Sequence, residues 1–184
     1  MNLPRRPGQV LASNPLLEAF GNARTLRNNN SSRFGKFIEI QFDGSHKMAG
    51  ARIHIYLLEK SRVVQQTEVE RNYHVFYQLL AGLTDEQRAD LGLSGGAESL
   101  QLLNQSGCVA IAGVDDAAEF ERTRRAMSAM GMGDADQNAT TCALGAVLLL
   151  AQMQFTQLDE ERVLVAAESA DVLKQARLSA IISA

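Results

Sequence analysis

Cysteine is scarce. The 184-residue chain has two, Cys108 and Cys142, in no CxxC or Cys/His spacing. Neither a zinc site nor a disulfide framework is expected, and both read as reduced, small, buried apolar residues. Histidine is nearly as rare. His46, His54 and His74 fall on a loop, a strand and a helix without ligand spacing, so they suggest no metal centre. His54 is predicted to be a solvated strand residue and His74 a helix-surface one. Positive charge is not in excess either: the net charge of −3 gives no electrostatic case for nucleic acid or anionic membrane. Long hydrophobic runs are missing. The longest, Cys142 to Ala151, is about half of what a bilayer span requires, and no apolar stretch follows Met1–Gly8 as a secretory signal would need. A soluble chain without a membrane span is expected. No Ser/His/Asp or Cys/His arrangement suggests a covalent catalyst. A phosphate cradle of the form GxxxxGK[ST] is also absent: the Gly-Lys pair at Gly35-Lys36 is followed by Phe37, with Asn30 where the first glycine belongs.

What is present is ordinary globular composition, 46% hydrophobic and 21% charged, in a length that suits one domain with a sizeable core. Residues 1–9, with Pro4, Pro7 and Gly8, read as a disordered lead-in. Val10 to Ala23 reads as helical, with Asn14-Pro15 as a cap and restart and Gly21-Asn22 as the stop. Phe37 to Asp43 and Ala51 to Leu58 alternate in polarity, and the glycines between them suggest an antiparallel hairpin. Helices are predicted over Arg71 to Ala81, over Thr84 to Leu91 with Thr84 as cap, and from an Asp116/Glu119 capping box down to Gly131. Asp134 to Gln152 is apolar all round in its second half, which predicts a central buried helix. A strand over Arg162 to Ala166 and a final helix over Ser169 to Leu178 complete the pattern. Glu59, Lys60 and Arg62 suit either a buried ion network or a surface charge run.

The densest polar segment is Asn28-Asn29-Asn30-Ser31-Ser32-Arg33-Phe34-Gly35-Lys36, between the first helix and the first strand. Asn and Ser are also ordinary turn formers, since both side chains bond their own backbone. Yet amides, hydroxyls and a guanidinium are the groups that wrap a magnesium-bound triphosphate: a hydroxyl enters the metal shell, and Arg and Lys offset phosphate charge.

The run from Asn14 to Phe42, NPLLEAFGNARTLRNNNSSRFGKFIEIQF, resembles the myosin motor head across the helix, the switch I loop and the following strand. Tyr56 to Val64, Glu70 to Gly82 and Leu103 to Val109 match further family hallmarks in order, as does the helical segment from Asp115 to Gly131. The resemblance runs from about Val10 to the end and looks closest to class II heads. It implies a partial motor domain over residues 10–184: an α/β, mostly helical fragment of a P-loop NTPase-type fold, with a short antiparallel hairpin, helices and an incomplete central sheet. It implies roles as well. Asn28 resembles the asparagine that bonds nucleotide phosphates. Asn30 and Ser31 resemble donors near the terminal phosphate and the attacking water, and Ser32 matches the hydroxyl that completes the magnesium shell. Arg33 matches the arginine that pairs with a switch II glutamate, and Lys36 lies at the loop's exit. ATP and Mg2+ are the implied cofactors. Actin filaments and the remaining motor segments are the implied partners, in the cytoplasm and cytoskeleton.

Departures from the family pattern limit what these residues can do by themselves. No DxxGFE-like switch II is recognisable, so Arg33 has no recognisable switch II glutamate. Val147 to Gln152 stands where family heads carry a VLHLGN-like sequence. The expectation is an internal slice of an actin-based motor that supplies switch I and lacks ATPase alone. The alternatives are a non-catalytic truncated protein or partner-binding module, or an incomplete gene model.

Overall fold

The computed structural model describes residues 11–159, 161–172 and 174. The chain order begins with α1 (Asn14–Gly21), followed by the short strands β1 (Asn22–Ala23) and β2 (Ser31–Ser32). Next come the long strands β3 (Gly35–Phe42) and β4 (Met48–Tyr56). Helices α2 (His74–Gly82), α3 (Asp85–Asp90), α4 (Gln101–Asn104), α5 (Asp116–Ala129) and α6 (Asp134–Leu150) succeed them. A last pair of strands, β5 (Phe155–Gln157) and β6 (Val163–Val165), ends the series. The strands pair as three separate antiparallel ladders, β1-β2, β3-β4 and β5-β6.

The core forms around α2. Its sequence HVFYQLLAG has almost no polar face, and a helix apolar on all sides must be surrounded. Every residue from His74 to Leu80 is buried, with Leu79 at 0% exposure. Ala19 of α1, Phe120 of α5, Leu148 and Leu149 of α6, and Leu100 to Leu103 around α4 close over it. Gly82 is required by this packing: a Cβ there would collide with the Phe120 ring, so the glycine sets how closely α2 and α5 approach. Gly21 does the same at the end of α1, where the Phe34 ring occupies the space of a side chain. Glycine thereby seats the exit of the Asn/Ser loop against the helix that precedes it.

Several ends differ from the sequence expectation, each through a competing partner. Ser13, not Asn14, is the cap of α1; the Asn14 Oδ1 instead accepts from Lys36 Nζ at 3.3 Å. Asp115, not Asp116, caps α5, accepting from the amides of Ala117 and Ala118 at 3.0 and 3.1 Å. Asp116 is withdrawn from that role because Arg71 claims its carboxylate at 2.9 Å. The Thr84 cap forms as expected, as a reciprocal pair with Gln87.

The hairpin is antiparallel and pairs Ile38 with Ile53 and Phe37 with His54, but β4 begins at Met48, earlier than Ala51. The reason is a tight turn: Asp43 Oδ1 accepts from the amides of Ser45 and Lys47 at 2.8 and 3.0 Å, which reverses the chain within five residues. Phe37, Ile40 and Phe42 remain exposed on β3.

Helix α6 is not the central buried helix that its composition suggests. Only Gln137, Gly145, Leu148 and Leu149 are buried, while Val147 and Leu150 are 40% and 48% exposed. The described residues supply neighbours on one side of it only. The expected strand over Arg162 to Ala166 is present as β6, and its partner β5 carried no sequence signal strong enough to be read. Both cysteines are half-buried rather than buried, with Cys108 Sγ taking a contact from Arg24 at 3.2 Å. His74, expected on the surface, is buried. Residues 1–9 lie outside the described residues, as do five of the ten residues of the predicted final helix, 173 and 175–178. No helix among the described residues is long and apolar enough to cross a membrane.

Truncating a core side chain and truncating an exposed one should therefore differ sharply. Leu103→Ala, at 0% exposure, is expected to cost about 2–5 kcal/mol by urea unfolding. Phe42→Ser, on the open hairpin face, should change stability by no more than about 0.5 kcal/mol.

Candidate functional site

The Asn/Ser loop leaves the core at β1 and returns at β2, so its two ends are pinned side by side by the pairs Asn22↔Ser32 and Ala23↔Ser31. Within it, Thr25 and Asn28 close a turn, with the Thr25 amide donating to the Asn28 carbonyl at 2.8 Å. The Asn28 side-chain oxygen then accepts from the Asn30 amide at 2.9 Å. This is the local bonding that makes asparagine a turn former. The Asn30 side chain points back toward α1, accepting from Asn22 Nδ2 at 2.9 Å and donating to Glu18 Oε2 at 3.3 Å. At the exit, the Arg33 amide donates to the Gly21 carbonyl at 2.8 Å, and the Glu59 amide donates to the Arg33 carbonyl at 3.0 Å.

A charge network clamps both ends of this loop. Glu59 Oε2 accepts from Arg33 Nε and from Arg62 Nε, each at 2.7 Å. Arg62 reaches onward to Glu70 Oε2 at 3.0 Å, and the other oxygen of Glu70 accepts the Leu26 amide at 3.2 Å. Leu26 opens the loop and Arg33 closes it, so two carboxylates bridged by one guanidinium hold its two ends. Arg62 is 5% exposed and also donates to the Arg71 carbonyl at 3.1 Å. Tyr73 adds a bond from its hydroxyl to the Glu59 carbonyl at 2.8 Å. Of the two sequence readings for Glu59 and Arg62, the structure selects the ion network; Lys60 stays outside it, exposed. Val69 turns the chain just before Glu70 at φ 62°, a conformation that costs a β-branched residue on the order of 1–3 kcal/mol. Burial works to raise the Glu59 carboxyl, but the hydrogen bonds from Arg33 and Arg62 together hold it below the ordinary carboxylate range. Glu70 is likewise lowered against its burial, by the Leu26 amide and Arg62.

An open depression of about 350 Å³ lies against the loop, lined by Leu26, Asn28, Ser31, Arg33 and Glu70 among others. Three of the residues singled out from sequence, Asn28, Ser31 and Arg33, therefore face one space, and Arg33 NH1 donates to Ser31 Oγ at 3.3 Å. The other three do not line it. Ser32 is exposed, its hydroxyl donating to the Phe34 carbonyl at 3.2 Å, which leaves its oxygen lone pairs unused. Asn30 faces α1, and Lys36 is held by Asn14 on the outer side. Sequence reasoning found no glutamate for Arg33. The structure supplies Glu59, from a segment whose family likeness was legible although its role was not.

This donor set fits one flank of a magnesium triphosphate: a guanidinium, an amide and a hydroxyl face the depression, and a second hydroxyl stands beside it. The Glu70 carboxylate, the one group there that opposes an anion, is already neutralised by Arg62. No group of His, Cys, Asp and Glu among the described residues forms a metal centre of its own.

Behind the loop a second buried pair anchors the helices. Arg71 is fully buried, donates from NH2 to both oxygens of Asp116 at 3.1 and 2.9 Å, and lies 3.7 Å from the centroid of the Tyr77 ring. His74 stands next to it on α2. Burial first, and the Arg71 charge second, push the imidazole down to about 4.

The chain belongs to the myosin head (motor domain) family, whose sequence model matches residues 5–183. It is 50% identical over 153 residues to Myosin-1 of Arabidopsis thaliana, covering 83% of this chain and 13% of that protein. It is 46% identical over 153 residues to the Myosin IE heavy chain of Dictyostelium discoideum, covering 83% and 15%. The Myosin ID heavy chain of the same organism is 49% identical over 146 residues, covering 79% and 13%. The chain thus spans a small part of the length of these relatives. The expected closeness to class II heads finds no support in these relatives, two of which are Myosin I heavy chains by name.

These shifts set the acid response. The lowered His74 pKa contributes stability that is fully present above about 6.5 and drains as pH falls toward 4, by at most about 3 kcal/mol. Glu59 and Glu70 contribute stability above about 4.5 that is lost as pH falls through their lowered folded values. Urea midpoints should fall between pH 6.5 and 4 in the parent chain. In His74→Gln that window should flatten, leaving the loss below about pH 4.5. An unchanged profile in the variant would contradict the assignment.

Proposed function

We propose that this chain supplies the switch I flank of a magnesium-ATP site in an actin-based motor head of P-loop NTPase type, working in the cytoplasm on the cytoskeleton. The observation that carries the reading is the loop itself: Asn28, Ser31 and Arg33 face one depression and are held there by Glu59, Arg62 and Glu70. A preset loop of this kind suits phosphoryl transfer, where catalysis is mostly positioning and charge stabilisation. Asn28 would bond phosphate oxygens, Ser31 the terminal phosphate or the attacking water, and Ser32 the metal. Magnesium, when bound, would supply charge neutralisation on the phosphate oxygens. Arg33 would exchange carboxylate partners as the site closes, since Glu59 takes only its Nε and the remaining contact, to Ser31 Oγ, is a long one to a neutral group. Lys36 and Asn30 serve the loop's shape in this reading rather than the nucleotide.

Because GxxxxGK[ST] is absent from these 184 residues, the chain alone is expected to release no phosphate from MgATP above background, with or without filamentous actin. Grafting residues Asn14 to Phe42 into an intact head, such as that of the Myosin IE heavy chain, should preserve turnover. Arg33→Ala in the graft should lower it by about a hundredfold. A folded graft that turns over equally well with and without Arg33 would overturn the reading.

A second reading, a non-catalytic partner-binding module, is favoured by one specific observation. Phe37, Phe42, Ile55 and Leu57 are 58%, 64%, 53% and 85% exposed on and just beyond the hairpin.

A further inference from the structure

Where α1, α2 and α5 meet behind the loop there is a cavity of about 180 Å³, walled on its far side by Asn29 and Asn30. Two of its lining residues are polar and more than nine-tenths buried: His74 at 8% exposure and Gln78 at 5%. They lie four positions apart on one face of α2. Gln78 Oε1 accepts from Thr123 at 3.0 Å, and the other end of its amide has no partner among the described residues. The His74 ring has no hydrogen-bond partner among them at all. The imidazole keeps accessible surface on the cavity, so a molecule that enters it finds an unused polar handle there.

The walls say what that molecule is. Pro15, Ala19, Ile111 and Val114 give an apolar lining that a chain of waters would solvate poorly, and such a mixture of apolar wall and few polar groups is typical of small-ligand sites. Glu18, Asp116 and Glu119 place three carboxylates on the cavity, against Arg122 at 3.4 Å from Glu119 and Arg71 bonded to Asp116 from behind. One negative charge is in excess, and neutral imidazole can accept a hydrogen bond. The volume admits a ligand of about the size of benzene with one small polar group.

We propose that this cavity is a binding site for a compact organic cation, an amine or amidine carried on a small apolar body, held by the His74 ring and the carboxylates of Glu18 and Glu119. Such a ligand would touch the rear of the Asn/Ser loop through Asn30, whose amide already bonds Glu18. Asn28 lines the depression described above and not this cavity.

Benzamidine is the probe and benzyl alcohol the neutral control, with binding to the full chain followed through the His74 ring proton by NMR and by calorimetry. Benzamidine should shift that proton saturably and more tightly than benzyl alcohol. Glu119→Gln should raise Kd about tenfold, the loss expected for one charge-assisted contact. Val114→Trp, at a 43% exposed position on the rim, should abolish binding at an unchanged melting temperature. Shifts that do not saturate, equal binding of the alcohol, or undiminished binding to a folded Glu119→Gln would overturn the proposal and leave a water-filled gap.

Discussion

Arg62 carries a full positive charge at 5% exposure, and the residues that make this tolerable are the same ones that define the loop. An unpaired guanidinium in that position would cost several kcal/mol, so it must be met by carboxylates and carbonyls. Glu59, Glu70 and the Arg71 carbonyl meet it. Glu59 has a second occupant in Arg33, and Glu70 a second in the Leu26 amide, so satisfying one buried charge fixes both ends of an otherwise polar and exposed loop. The loop's centre, Asn28 to Asn30, remains exposed and bonded mainly to itself and α1. A segment anchored at its ends and free at its middle can present donors without collapsing onto the core.

The anchoring is backed by a second buried arginine. Arg71, directly after Glu70, is sealed between the Tyr77 ring and Asp116, and its amide donates to the Arg24 carbonyl at 3.0 Å. That one residue ties the start of α5, the face of α2 and the strand leading into the loop. The apolar packing of α2 supplies the free energy; the two buried arginines convert it into position. The same arrangement leaves the His74 ring with no hydrogen-bond partner among the described residues, beside a cavity that Asn29 and Asn30 also line.

Much of this was legible in the sequence, because local rules govern it. Alternation marked β3 and β4, Thr84 was readable as a cap, and the Asn/Ser/Arg loop stood out by composition. What was not legible depends on pairings between distant residues. Asp116 looked like a helix cap until Arg71, forty-five positions earlier, took its carboxylate. His74 looked solvated because its own helix gives no hint of what α1 and α5 lay over it. Helix α6 erred in the opposite sense: its composition implied burial, and the described residues cover one side. Of the site residues, Asn28, Ser31 and Arg33 line one depression, while Asn30, Ser32 and Lys36 are held by Glu18, Phe34 and Asn14. No periodicity could have announced Glu59 as the partner of Arg33, since that bond joins a loop to the segment after a hairpin.

The central claim is that Arg62 couples the two ends of the loop, and amide hydrogen exchange tests it directly. In Arg62→Met, a near-isosteric replacement that removes the charge, the Leu26 and Glu59 amides should lose protection together while amides within α2, such as that of Leu80, keep theirs. Loss at only one end, or no loss at either, would contradict the coupling.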